Sequence, residues 1–478
     1  MTFHSRSFGE RSFERAELGD KRRNKCLIRV VDEMVRRPGG TLPSKLQTSG
    51  LLKSFYRLVA REQVTHEAII EPHREATLEQ IDVLELEDVL VIHDSTELDY
   101  SAHHSLKDVG QIGNGSRKGI IAHNSLAVDP STGHVLGLLN QVLHRRCKVP
   151  KREALKSKRE RESRESRLWL RGTKPLPESR RVIDVCDRGA DSFEFLEHES
   201  HSGRRFVIRV AYNRRIYVGH DDASGKESYL LTYARTVPAA GYWKLSVSSK
   251  REIIKPKKKG KKKVCMRKQR EANMAVSFAP VQIRPPSTRY GQYGNTPLRL
   301  WIVRIWETDP PEGNEPLEWF LITNHPVTTF EEAYRVVGWY EHRWVIEEFH
   351  KAIKTGCGVE KMQFTSVDRL HPAIALISVV ALTLLTLRDA ARAPDAKKRK
   401  ATEVISEDYV AILSTWRHGK PDLNWTVHDF YYALGRLGGH QNRKGDHPPG
   451  WQILWRGWIE LQAMIRGAEV ASKMEKCG

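Results

Sequence analysis

The chain has too few cysteines, too widely spaced, for a disulfide framework or a zinc module. Its 478 residues include six (Cys26, Cys147, Cys186, Cys265, Cys357 and Cys477), with no C-x-x-C pair and no histidine at zinc-ligand spacing. Such usage fits a reducing compartment. The N-terminus is polar and charged where a secretory leader needs an apolar region, so no leader is expected. Long apolar runs are also scarce. Ala373 to Leu387 comes nearest, but it contains Ser378, Thr383 and Thr386, follows Pro372 and is short for a membrane span, so a buried helix is expected. Negative charge is in deficit: 59 acidic residues face 79 Lys and Arg, for a formal net charge of +20. Cations spread over many segments favour a polyanionic partner, most simply nucleic acid, although basic membrane-surface proteins share that charge; no membrane partner is expected. The length allows two or three domains, and the apolar and charged fractions are those of a globular protein.

What is present is organised around Tyr340 to Lys354, Y-E-H-R-W-V-I-E-E-F-H-K-A-I-K. At about 100° per helical residue, Tyr340, Arg343, Glu347 and Lys354 fall at about 0°, −60°, −20° and −40°, on one face. By spacing alone such a row is more often an exposed charged face with i,i+4 pairs. Thr329 with Glu332 makes a capping box that starts the helix carrying it, and Gly356 and Gly358 end it.

Upstream, Asp20 is an N-cap for a helix with Leu27, Val30, Val31 and Met34 on its packed face and Arg36 and Arg37 among its cations. Leu51 to Arg61 adds a second amphipathic segment carrying Arg57, and Glu71 to Asp82 a helix. Val89 to His93 reads as a strand ending in Asp94. Ile120–Val128 and Val135–Leu143 complete a meander around the turn Asp129-Pro130-Ser131-Thr132-Gly133. An aspartate at a strand end is by itself most often a turn former. Arg181 to Cys186 is a strand ending in Asp187, with Asp191 placed to cap the helix after it. Short strand-like pieces then surround the basic tract Lys255 to Lys263, which composition alone marks as a solvated loop. Trp319 lies on a strand, where a tryptophan is ordinarily core. Ala393 to Glu407 is a charged linker. Leu454, Trp458, Leu461, Ile465 and Ala468 form a short heptad-like seam in the final helix.

The pattern Y-x2-R-x3-E-x6-K, with V-C-D-R-G-A-D upstream, resembles the DDE transposases of the insertion-sequence-four family, and the likeness runs from about Leu18 to the last helix. The resemblance implies an α+β/α/β chain: a helical DNA-binding domain at 1–70, an RNase H-like catalytic domain at 71–392 with a β-rich insertion near 212–297, and a helical dimerisation domain at 393–478. It implies that Asp94, Asp187 and Glu347 hold two Mg²⁺ ions, with Mn²⁺ able to substitute, and that Tyr340, Arg343 and Lys354 act beside them. It further implies DNA contacts from Arg36, Arg37, Arg57, Arg188, Trp319 and Lys351, with Trp319 stacking on a flipped base, and pairing through Leu454, Trp458, Leu461 and Ile465. The partners implied are double-stranded transposon ends and target DNA, bound by a homodimer in a bacterial cytoplasm at the nucleoid.

Carboxylates suit hard divalent ions, and two such ions about 4 Å apart stabilise the attacking and leaving oxygens of an in-line phosphodiester displacement. Arginine and lysine grip phosphates, one by its planar fork and the other as a point charge. Two other functions fit the same residues: an RNase H-like nuclease that cuts without joining, and an inactive DNA-binding inhibitor.

Overall fold

The apolar and cationic periodicity after Asp20 folds as the sequence implies. In the computed structural model, which describes residues 6–149, 152–220, 226–247, 250–254, 263–267, 269–287, 294–311, 316–443, 446 and 448–475, the helix Lys21–Arg36 begins where the Asp20 side chain accepts from the Arg22 amide. Leu27, Val30, Val31 and Met34 are fully buried along it. Helices Phe8–Phe13, Leu42–Leu46 and Ser49–Leu58 complete this module, followed by His66–Val83. The chain divides into two compact units: Met1–Arg152 with Arg167–Pro177 and His342–Gly478, and Glu153–Ser166 with Glu178–Glu341.

In the first unit the strand Lys118–Val128 lies between Val89–Asp99 and Val135–His144, all antiparallel, with the short Gly110–Gln111 paired to it as well. This is the expected meander, with the Asp129 carboxylate accepting from Ser131 and Thr132 in the turn. The first strand, however, does not stop at Asp94. Its ladder runs on from Asp94↔Asn124 to Asp99↔Gly119, because Thr96 and Leu98 continue the alternation into the core. The helix Val367–Arg392 packs against these elements. It is long and apolar enough to cross a membrane, but 89% of its most apolar window is buried, so it is the core helix expected. Pro372 lies inside it rather than before it.

The seam of the last helix, Trp451–Glu475, faces inward: Leu454 and Leu461 are 0% exposed, and Trp458 and Ile465 are buried, while Ala468 is exposed. Those side chains are used up by the chain's own helices, so a charge at Leu461 would break the fold before it broke any pairing. The charged segment after Ala393 is likewise more than a linker. Ala401 accepts no freedom there: its amide donates to Trp425, that of Val427 donates to Arg399, and Val404 and Ile405 are buried.

In the second unit, Val182–Cys186 runs parallel to Arg205–Arg209, joined by the helix Phe193–His201. The sheet continues through Glu318–Thr323, Leu298–Glu307, Arg270–Ile283 and Arg215–Val218 to Glu227–Tyr229, with Gly241–Val247 also on Arg270–Ile283. A buried cluster ties its first strand down: Arg204 donates to Asp184 at 2.7 Å and to Glu199 at 3.0 Å, the three being 0–3% exposed. Ser192, not Asp191, caps the helix Phe193–His201. Asp191 is drawn instead to the amides of Ala211 and Tyr212 and to the Arg214 guanidinium. Of the basic tract, Lys255 to Lys262 lie outside the described residues; Lys250–Ile254 and Lys263–Arg267 on either side pair antiparallel.

Candidate active site

The expected single helix beneath the Y-x2-R-x3-E-x6-K row is two. The capping box forms, with Glu332 accepting from the Thr329 amide at 3.1 Å and the Thr329 hydroxyl from the Glu332 amide at 3.3 Å, and the helix Phe330–Glu341 follows. His342 and Arg343 interrupt it, the His342 ring sitting 3.0 Å from the Pro130 carbonyl. A second helix, Trp344–Lys351, then runs into a π-turn, Ala352–Gly356, where Cys357 N–H bonds Ala352 O at 2.7 Å. A π-turn advances fewer degrees per residue than an α-helix, so Lys354 leaves the row computed for a continuous helix. Gly358, at φ +62°, and Gly356, whose added Cβ would lie 2.3 Å from Leu384 Cδ1, end the segment as expected.

The interruption carries chemistry. Arg343 donates to Asp94 at 3.0 Å and lies 3.6 Å from Glu347, so one guanidinium bridges the strand carboxylate and the helix carboxylate. Asp94 reaches it because of strand register. Directly opposite Asp94 is Asn124, and on the other face two crossings pin the pairing: Ser125 Oγ to His93 Nδ1 and Ser95 Oγ to His123 Nδ1, each 2.9 Å. A one-residue slip would turn Asp94 to the wrong face and break both crossings.

His350, three residues after Glu347, is a candidate ligand that spacing missed. A ring nitrogen of His350 and carboxylate oxygens of Asp94 and Glu347 lie within 4.8 Å of one another. Burial first, then the cations Lys354 and Arg343, hold this imidazole down to about 3, so it is neutral at physiological pH. The missed signal was the polar triplet His123-Asn124-Ser125 inside an otherwise apolar strand, since buried polar groups need partners. Two carboxylates and a neutral imidazole are a donor set for a divalent ion, and the residues present fit one.

The remaining expected residues are distributed as follows. Tyr340, half-buried, and Asp187 belong to the second unit. Asp187 ends its strand as expected and accepts from the Gly189 amide at 2.8 Å. Trp319 is half-buried opposite Ile305, and Arg188 is exposed. In the first unit Lys351 is exposed, its ammonium 5.4 Å from the Trp344 ring centre, and Lys354 is half-buried. Arg36 and Arg57 are exposed, whereas Arg37 is pulled back onto Glu33.

An acidic strand residue facing an acidic helix residue, on a chain with a mixed sheet and a basic helical N-terminus, fits metal-dependent phosphodiester chemistry on DNA. Family comparison makes this specific: residues 85–384 match the transposase DDE domain, and residues 5–64 match a transposase DNA-binding domain. The chain belongs to the DDE transposases. Membership implies a polynucleotidyl transferase or nuclease that uses a divalent metal and binds DNA.

Proposed function

We propose that the chain is a cut-and-paste transposase of the insertion-sequence-four family, similar to the transposase of transposon Tn-five. It nicks transposon ends, forms a hairpin, reopens it and joins the 3′ ends to target DNA. The observation that carries the reading is the convergence of Asp94, Glu347 and Arg343 on one spot, from a strand and a helix distant in sequence. Asp187 completes the acidic set by the resemblance alone. The layout of a DNA-binding domain at 1–70, a catalytic domain at 71–392 and a dimerisation domain at 393–478 belongs to the same proposal, as do cytoplasmic action at the nucleoid and pairing on DNA.

Two Mg²⁺ ions, when bound, activate water or a 3′-hydroxyl and stabilise the leaving oxygen. By the resemblance, Asp94, Asp187 and Glu347 would hold them. With the charge of its carboxylates taken up by the ions, Arg343 would be free to turn its fork to a phosphate; Lys354 and Tyr340 would grip neighbouring phosphate oxygens. Trp319 offers a ring to an unstacked base, and Arg36, Arg37, Arg57, Arg188 and Lys351 hold the duplex.

End-bearing DNA incubated with the protein and Mg²⁺ separates the readings. Hairpins and joined products support a transposase, nicks alone a nuclease, and binding without cleavage an inhibitor. Replacing Asp94, Asp187 or Glu347 by Ala is expected to abolish cleavage while DNA binding persists; full cleavage by any one variant removes that residue from the site.

A further inference from the structure

Resting on that reading of the site, we propose that His350 is a third protein ligand beside Asp94 and Glu347, giving one divalent ion a nitrogen donor, and that Asn124 and Gln141 aim it. The ligand atoms of the three residues lie within 4.8 Å of one another, and His350 is 5% exposed, so its ring has little room to turn away. Its orientation is set from behind. Asn124 Nδ2 donates to His350 Nε2 at 3.1 Å, and Gln141 Nε2 donates to Asn124 Oδ1 at 2.7 Å and to Ser378 Oγ at 2.8 Å. Gln141 Oε1 meets His66 Nε2 at 3.1 Å. Asn124, Gln141 and Ser378 are at most 2% exposed.

As placed, every amide N–H in this string meets an acceptor, which leaves the His350 lone pair on Nε2 and its proton on Nδ1. In the metal-free chain that lone pair is engaged by one neutral amide. A divalent ion between the carboxylates offers it a stronger partner and takes the place of the Asn124 amide on that nitrogen, so Asn124 sets the ring's orientation before the ion binds. A nitrogen donor also changes selectivity. Oxygen-only sites favour Mg²⁺ and Ca²⁺, whereas imidazole adds more affinity for ions further along the divalent series such as Co²⁺.

The test uses Mn²⁺ bound to the full chain without DNA, read by electron spin-echo envelope modulation. Wild-type protein is expected to show ¹⁴N coupling that becomes ¹⁵N coupling when the protein is grown with ¹⁵N-histidine. The coupling is expected to vanish in His350→Gln while Mn²⁺ still binds. In calorimetry, the same variant is expected to lose about tenfold in Co²⁺ affinity and much less in Ca²⁺ affinity. Isotope labelling needs no substitution, so a variant that fails to fold does not cost the result. Mn²⁺ bound without nitrogen coupling, or coupling that survives His350→Gln, overturns the proposal and leaves the transposase reading intact. No Mn²⁺ bound at all also overturns it, since a third ligand is expected to retain the ion without DNA. If Mn²⁺ binds but is not displaced in Asp94→Ala or Glu347→Ala, it is the site assignment itself that fails.

Discussion

On the proposed mechanism Arg343 does two jobs in turn, and the order of those jobs is measurable. With no ion present, its guanidinium at 3.0 Å from Asp94 and 3.6 Å from Glu347 offsets the repulsion of two carboxylates that are 14% and 37% exposed. Arg343→Ala is therefore expected to raise the DNA-free affinity for Mn²⁺ by calorimetry, because the ion no longer competes with a cation, while cleavage falls by about 10² as the phosphate grip is lost. Arg343→Lys is expected to restore little, since a point charge cannot span both partners. Unchanged cleavage in Arg343→Ala would refute the grip. A second residue sets an acid limit. His73 is buried, its Nε2 accepts from the Leu138 amide at 3.2 Å, and burial lowers its pKa from 6.5 to about 4. Its folded pKa lies below the unfolded one, so the stability tied to its neutral form is complete above about pH 6.5 and is lost as pH falls toward 4. His73→Gln is expected to flatten the fall in melting temperature across that window, and an identical slope in both proteins would exclude His73 as its source.

Helix starts and strand faces were legible in the sequence because local groups decide them: Asp20 caps, Thr329 and Glu332 box each other, and Leu27 to Met34 mark a buried stripe. What was illegible depended on distant partners. The break at His342 is held by the Pro130 carbonyl, and the inward turn of Leu454 to Ile465 depends on helices elsewhere in the chain. Asp94, Arg343 and Glu347 could be named in advance, but not His350, whose Asn124 partner lies 226 positions away. Asp191 was misread as a cap because its real partners, Arg214 and the Ala211 amide, come later in the chain. Two elements invite tests. Thr329→Ala is expected to cost about 1 kcal/mol in urea unfolding through loss of the cap. Arg204→Ala leaves Asp184 and Glu199 buried without their shared cation and is expected to cost about 3–5 kcal/mol, loosening the strand that ends in Asp187. A loss below 1 kcal/mol would mean that the two acids had taken up protons instead.

For the whole molecule, a charge of +20 predicts that binding to random DNA weakens steeply with salt, whereas the proposed end recognition is expected of the module at residues 5–64, which matches a transposase DNA-binding domain. Replacing Arg36 and Arg57, both exposed, is expected to lower affinity for the cognate end far more than for random DNA in gel-shift titrations. Equal losses on both would assign these arginines to general backbone contact. If pairing on DNA delivers each end to the other subunit, mixing the Arg36/Arg57 variant with a Glu347→Ala variant restores cleavage that neither shows alone. Silence from mixtures that do form paired complexes would rule out cutting in trans.

Lys45 joins the N-terminal module to the turn after the catalytic helix: its ammonium is 0% exposed and donates to the carbonyls of Pro38 and Cys357, the latter at 2.8 Å. Burial lowers its pKa to about 8, so it carries more free amine at neutral pH than a surface lysine does. Only enclosure keeps it from electrophiles. Under brief acylation Lys45 is therefore a built-in clock for separation of module and turn, silent while they are closed and labelled once they part.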